Sequence, residues 1–297
     1  MDRRHVLTVT EGSGPVGSLR LVETPMPSPG PDEVVVDVVC AAVDLRPPRW
    51  RSEPHVLEGA FVGWTLAGGA DDGAPGSLVA GIGPIADRVC VPRAYLRVFS
   101  ADGMALETLA LLPIAATIVA AFRAVRLVLG EQVCVSGDGM VARLAAQLAE
   151  VSTGRPVVTV STVGRARAGL TADDLSALVV DATADEEQWK AILPLAQECG
   201  RALLLLPGGP QVRPFDFYPA VHLRSLVLTA RRVPDAASWR SASDATVEAL
   251  RRLLARRDLN ADAAAWVHVR RGGPADREVP GGAETANGGL VVRFEAP

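Results

Sequence analysis

The residues best suited to chemistry are Gly137-Asp138-Gly139-Met140-Val141-Ala142. A short apolar run, Val133-Cys134-Val135, precedes them and has the character of a buried parallel strand. Val141, Leu144, Ala145 and Leu148 then recur at helical spacing. Strand, Gly-x-Gly-x-x-Ala and helix, in that order, predict a turn that holds a dinucleotide. The first glycine permits the tight turn, the second lets the main chain approach a pyrophosphate, and Ala142 keeps helix and strand close. The helix N-terminus then offers free N–H groups and a partial positive charge to the phosphates. Asp138 works against this, because a carboxylate beside a phosphate costs free energy. Either its side chain turns to solvent, or the turn is only a glycine connection into a packing helix.

Other reactive residue types are scattered. Cys40, Cys90, Cys134 and Cys199 each lie in or beside an apolar run and form no Cys-x-x-Cys pair, which argues against a structural metal or disulfides. His5, His55, His222 and His268 stand apart, and no Ser or Cys has the setting of a nucleophile elbow. Tyr95 and Tyr218 read as structural residues.

Composition sets the frame for these residues. The chain has 297 residues, 48% hydrophobic and 22% charged, with a net charge of −4. That is an ordinary globular composition with room for one large domain or two smaller ones. The basic pairs, such as Arg231-Arg232 and Arg251-Arg252, are short and interrupted by acids, so no nucleic-acid surface is expected. The N-terminus shows no signal-peptide core, and the longest apolar stretch, Leu109 to Phe122, is short and holds Pro113. A cytoplasmic protein without a membrane partner is expected.

The elements that must position the glycine turn can be read in order. Residues 1–108 are turn-rich and β in character, suggesting a small barrel, with the β-branched run Glu33 to Val39 its clearest strand. Helices are expected over Leu106 to Leu112 and Ile114 to Leu129, split at Pro113. After the glycine turn, strands at Val157 to Ser161, Ala177 to Asp181, Arg201 to Leu206 and Ser225 to Ala230 alternate with helices, one of them Glu186 to Cys199. That alternation predicts an α/β domain with a doubly wound parallel sheet. A helix over Ser243 to Arg256 and a broken β tail closing on Leu290 to Phe294 follow.

In this order the residues resemble the medium-chain dehydrogenase/reductase superfamily over nearly the whole chain. Pro27-Ser28-Pro29-Gly30-Pro31-Asp32-Glu33-Val34-Val35-Val36 looks like its P-x-P-G-P-x-E-V-L-V opening. Ile85 to Pro92 looks like its G-x-x-A-E-Y-V-x-V-P segment, Leu111-Leu112-Pro113 like its A-L-L-P, and Val180-Asp181-Ala182-Thr183 like its D-A-T-G strand. The resemblance implies a Rossmann-type domain over 109–235 and a GroES-like β-barrel domain over 1–108, completed by 236–297. It also implies an active-site cleft between them.

The departures from the family bear on function. Zinc alcohol dehydrogenases carry a Cys after the long early strand, a Gly-His-Glu, and a later Cys or Asp. Here the first position falls at Asp44, the second reads Gly63-Trp64-Thr65, and the third is Ala116. Tryptophan and alanine cannot ligate zinc. The lobe of structural cysteines is missing too, since the chain passes from Gly81 straight to Ile85. The chain resembles a shortened, zinc-free member, nearer the quinone and enoyl reductases.

Cofactor contacts follow from the same comparison. An acid about 20 residues beyond the glycines holds the ribose of NAD. That position is Ser161, followed by Thr162, Arg165 and Arg167. A neutral residue with a nearby arginine favours the 2′-phosphate, so NADP(H) is expected. The alternative leaves Arg165 and Arg167 on a solvated surface. In this fold the nicotinamide lies beyond the strand ends, near Ala182, Thr183, Leu206 and Pro207. Asp44 is either a general acid or a local loop cap. Trp64 either packs or stacks on substrate, with Thr65 beside it.

The expectation is an NADPH-dependent reductase of a C=C or C=O bond in a small molecule. One alternative is a relative doing redox-neutral chemistry, such as cyclisation, dehydration or isomerisation. Another is a silent member serving as a binding partner. A homodimer in which Arg201 to Leu206 and Ser225 to Ala230 pair across a two-fold axis is expected by analogy with the family.

Overall fold

The computed structural model describes residues 3–10, 18–44, 55–68, 75–100, 104–137, 139–160, 176–182, 186–206, 221–256, 265–270, 277–278 and 289–295. They fall into two units, Met1–Ala116 with Pro234–Pro297, and Thr117–Val233.

The first unit is built on one long strand. β1 (Arg3–Thr10) and β2 (Ser18–Pro25) form a hairpin, and β3 (Glu33–Asp44) follows. In β3, Val34, Val36 and Val38 are buried while Glu33, Val35 and Asp37 are half-buried, the alternation of a sheet with one face on the core. From Cys40 onward every residue is buried. β4 (His55–Val56), β5 (Glu58–Gly68), β6 (Leu78–Pro84), β7 (Arg88–Pro92) and β8 (Arg97–Phe99) complete the N-terminal part. β3 pairs with β5 along most of its length, and its first half pairs with β7.

Three chain segments meet in a closed ring of hydrogen bonds. Leu7 N–H donates to Ile85 O at 2.8 Å, Ile85 N–H to Leu57 O at 2.8 Å, and Leu57 N–H to Leu7 O at 3.1 Å. All three side chains are buried, and the ring pairs the N–H and the C=O of each of these residues where burial would make an unpaired group costly. Asp87 ties the same corner. Its carboxylate accepts from His5 N–H at 2.8 Å and lies 3.0 Å from His5 Nδ1.

α1 (Leu106–Ala124) is continuous through Pro113. The break expected there does not occur. Proline inside a helix costs about 3 kcal/mol, but Leu109 to Ala116 are all buried around it, and that packing holds the helix together. The 19 residues are apolar enough to cross a membrane, yet 72% of the apolar window is buried inside the protein, as in a core helix.

The second unit is a parallel sheet. β9 (Val133–Ser136), α2 (Met140–Thr153), β10 (Val158–Val160), β11 (Ser176–Asp181), α3 (Glu186–Ile192), β12 (Ala196–Leu206) and β13 (Val227–Arg232) follow in sequence. Among the described residues the strand order is β10-β9-β11-β12-β13, all parallel. β9 and β11 are buried along their whole length, as expected of a sheet covered on both faces. The helix expected to run to Cys199 stops at Ile192. Pro194 opens a short 3-10 turn, and the chain enters β12 at Ala196.

The chain then returns to the first unit. α4 (Ala236–Ser241) is capped by Asp235, whose carboxylate accepts from Ser238 N–H at 2.8 Å. α5 (Asp244–Arg256), β14 (Ala265–Arg270), β15 (Arg277–Glu278) and β16 (Gly289–Glu295) complete the chain. β16 pairs antiparallel with the second half of β3, and β15 pairs with β2. The architecture is a Rossmann-type parallel sheet joined to a GroES-like β domain.

Candidate functional site

Gly137 and Gly139 lie between β9 and α2, in the order strand, glycines, helix that the sequence implies. Gly137 has φ +120°, a conformation that side-chain-bearing residues rarely adopt. Its N–H donates to Val160 O at 2.9 Å, anchoring the turn to the end of β10. Gly139 is the N-cap of α2 and offers no side chain to the first-turn N–H groups. α2 runs 14 residues and ends at Gly154, a left-handed C-cap with φ +69°.

Met140 and Val141, expected to contact the cofactor, are 0% and 2% exposed. Their side chains pack into the core and are not open to a ligand. The same holds for Ala142, at 2%. The helical face read from Leu144, Ala145 and Leu148 is buried as well.

Parallel register gathers the other described candidates at the carboxyl edge of the sheet. Ser136 pairs with Val160 and with Asp181, and Asp181 pairs with Leu204. Gly137, Gly139, Ala182 and Leu206 therefore follow the ends of neighbouring strands. This is the edge at which doubly wound sheets bind ligands. Ala182 N–H donates to Ser136 O at 3.0 Å. Asp138, Ser161, Thr162, Arg165, Thr183 and Pro207 lie outside the described residues.

Three polar residues at this edge were not singled out in the sequence. Gln188 of α3 donates to the Ser136 hydroxyl at 2.8 Å, and both residues are buried. Asp181, at the end of β11, is 1% exposed. Burying polar groups costs free energy unless they are bonded. Their concentration at the strand ends sets this edge apart from the apolar strands beneath it. A signal existed for two of them. Ser136 directly precedes the turn, and Asp181 interrupts an apolar strand; nothing local marks Gln188.

The β-domain candidates are not brought together. β3 and β5 pair with Ala42 opposite Ala60 and Asp37 opposite Trp64. Asp44 and Trp64 thus sit toward opposite ends of the ladder, roughly 23 Å apart at about 3.3 Å per residue. Continuing the register from Ala42 and Ala60 brings Glu58 level with Asp44. The residues beside Asp44 on β5 are therefore Glu58, Gly59 and Ala60, and not Trp64 and Thr65. Gly59 is required there by close approach, since a Cβ would lie 2.4 Å from Ala42 O.

Thr65 is committed elsewhere. Its hydroxyl accepts from Ser77 N–H at 3.0 Å, and its own N–H donates to Ser77 O at 3.0 Å. It is 3% exposed and closes the β5–β6 hairpin. Trp64 lies opposite Asp37 and Leu78. Asp44 is 8% exposed and ends β3 opposite Gly289.

No protein-family model matches the chain, and no curated protein matches it. Solved structures do. A Sinorhizobium meliloti protein described as a zinc-binding dehydrogenase, bound to NADP, aligns with a TM-score of 0.68 at 17% identity, covering 99% of this chain and 100% of its own. The quinone oxidoreductase of Coxiella burnetii aligns at 0.68 and 16% identity over 99% and 100%. The CurK enoyl reductase aligns at 0.66 and 14% identity over 99% and 100%. Each is a medium-chain dehydrogenase or reductase. At these identities the likeness is one of architecture, and it covers the whole chain: this protein has the fold of the medium-chain dehydrogenases and reductases.

Proposed function

We propose that the protein is a zinc-independent, NADP(H)-dependent reductase acting on a C=C or C=O bond of a small molecule. The observation that carries this is Gly137 at φ +120° leading into a glycine-capped helix at the carboxyl edge of a parallel sheet. Neighbours in fold include a dehydrogenase bound to NADP and two reductases of related type.

In this reading the nicotinamide supplies the hydride, and the chain supplies position. The α2 N-terminus draws the phosphates, Ser161, Thr162 and Arg165 select the 2′-phosphate, and Ala182, Thr183, Leu206 and Pro207 border the nicotinamide. Asp44 is the remaining candidate for proton donation. Zinc independence is supported by the donor set: beside Asp44 on β5 only Glu58 carries a ligating side chain, Gly59 and Ala60 none, and two carboxylates are fewer than the three protein ligands of a catalytic zinc site. A homodimer through β13 is part of the same reading. β13 is an edge of its sheet among the described residues, and Val227 is 58% exposed.

Titration with NADPH and NADH tests the reading. Micromolar NADPH binding, with NADH and the Arg165→Ala variant weaker by about tenfold or more, is the expected result. No binding of either nucleotide at millimolar concentration would overturn it. A second reading, redox-neutral chemistry without nucleotide, is favoured by the Asp138 carboxylate between the two glycines. Turnover of a substrate with no change in nicotinamide absorbance would select it.

A further inference from the structure

Gly137 has no side chain to fix its φ of +120°, and α2 begins at Gly139 with no side-chain cap. The aim of the α2 N-terminus therefore depends on what holds the end of β9, at Ser136. Three hydrogen bonds meet there. Gly137 N–H donates to Val160 O at 2.9 Å, and Ala182 N–H donates to Ser136 O at 3.0 Å. The Gln188 side-chain amide donates to the Ser136 hydroxyl at 2.8 Å. The first two are main-chain bonds and do not depend on side chains. The third does, and it comes from a helix.

That helix, α3, has a firm seat. Trp189 and Ile192 share a core cluster with Cys134 of β9, Val160 of β10 and Val179 of β11. These apolar contacts hold α3 without help from an amide. Gln188 is 4% exposed and Ser136 is 0% exposed, so both gave up water to make their bond. A leucine and an alanine would fill the same two places with no polar group to pair. The polar pair is thus not needed to seat the helix, and it lies one residue from Gly137.

We infer that Gln188 is a positioning residue for the nucleotide: through the Ser136 hydroxyl it fixes the end of β9, and with it the departure of the chain at Gly137 and the aim of the α2 N-terminus at the pyrophosphate. The inference rests on the nucleotide reading above. Gln188 touches no ligand in this role. It spares the nucleotide the cost of ordering the glycines on binding, which raises affinity without a new contact. Amide and hydroxyl are both neutral, so the fixing adds no charge beside the phosphates.

The test compares the intact protein with Gln188→Leu, Ser136→Ala and the double variant, reading NADPH affinity by calorimetry and the urea unfolding midpoint in parallel. Gln188→Leu takes this donor from the buried Ser136 hydroxyl and is expected to lower both affinity and midpoint. The double variant removes that hydroxyl as well. It is expected to regain most of the midpoint and still to bind NADPH about fivefold or more weakly than the unmodified protein. Affinity that follows the midpoint, whether both recover or both stay low, would overturn the inference: the pair would then serve stability alone, and the nucleotide reading would stand. Should the double variant fail to fold, Ser136→Ala, the smallest of the changes, is read in the same way. Failure of the unmodified protein to bind NADPH or NADH would remove the reading and the inference together.

Discussion

Burial sets the reactivity of the thiols. It pushes Cys40 and Cys134 up to about 12, and burial with the Glu33 hydrogen bond pushes Cys90 to about 11. At pH 8 about one part in a thousand or less of each is thiolate, the reactive form. Cys199 is exposed. The native protein is expected to give one fast thiol with a chromogenic disulfide at pH 8 and four after denaturation, and Cys199→Ser to abolish the fast phase. Two or more fast thiols would contradict the buried placement. At this scale the sequence was readable where a residue's type is dictated by its own backbone. Gly137, with its positive φ, is such a case. Trp64 and Thr65 were not, because their partners depend on the β3–β5 register, which shifts between Val35 and Val36 and between Val38 and Cys40. An irregular ladder displaces every later pairing, and no local pattern announces it.

Among the elements, α4 owes its place to a single side chain. Arg97 of β8 donates to the carbonyls of Trp239, Arg240 and Ala242 and lies 5.2 Å from the Trp239 ring centroid. Arg240 O and Ala242 O lie at the C-terminal end of α4, where the last carbonyls lack intrahelical donors, while Trp239 O also accepts from Ala242 N–H. Trp239 is 0% exposed, and its indole N–H donates to Tyr95 O at 3.1 Å. Arg97 also pairs with Asp244 at 2.6 Å, but the Asp244 side chain is 99% exposed. Solvent screens that pair, whereas the carbonyl contacts are sheltered. Arg97→Ala is expected to cost about 2 kcal/mol in urea unfolding, and Asp244→Ala to leave the midpoint unchanged. Equal losses would show that the ion pair matters as much as the cap. Element type was legible wherever periodicity was long, as in α2 and in β3. It failed at both prolines, for opposite reasons. Pro113 sits in a helix whose surroundings are buried enough to carry it, while Pro194 meets a chain that has already left the helix.

For the whole molecule, the proposed homodimer turns on β13, an edge strand among the described residues. Its residues are exposed or half-exposed, and an edge strand is a template for pairing with a second copy. Sedimentation velocity at micromolar concentration is expected to show a dimer that Val227→Pro or Thr229→Pro converts to monomer, because proline removes a ladder donor. A monomer in the unmodified protein would withdraw the homodimer. The fold class was legible in the switch of period, strands with turns before residue 104 and strands alternating with helices after the glycines.

The pairing of β16 with β3 has a consequence for how the protein is made. Residues 289–293 lie beside residues 40–44, so the earlier unit lacks a core strand until residue 293 has been synthesised. The unit from Thr117 to Val233 is continuous, and its five strands among the described residues emerge before that strand does. Domains fold as units during synthesis. On the ribosome the order of completion is therefore inverted: the part begun second is finished first, and the part begun first waits with the second half of β3 uncovered.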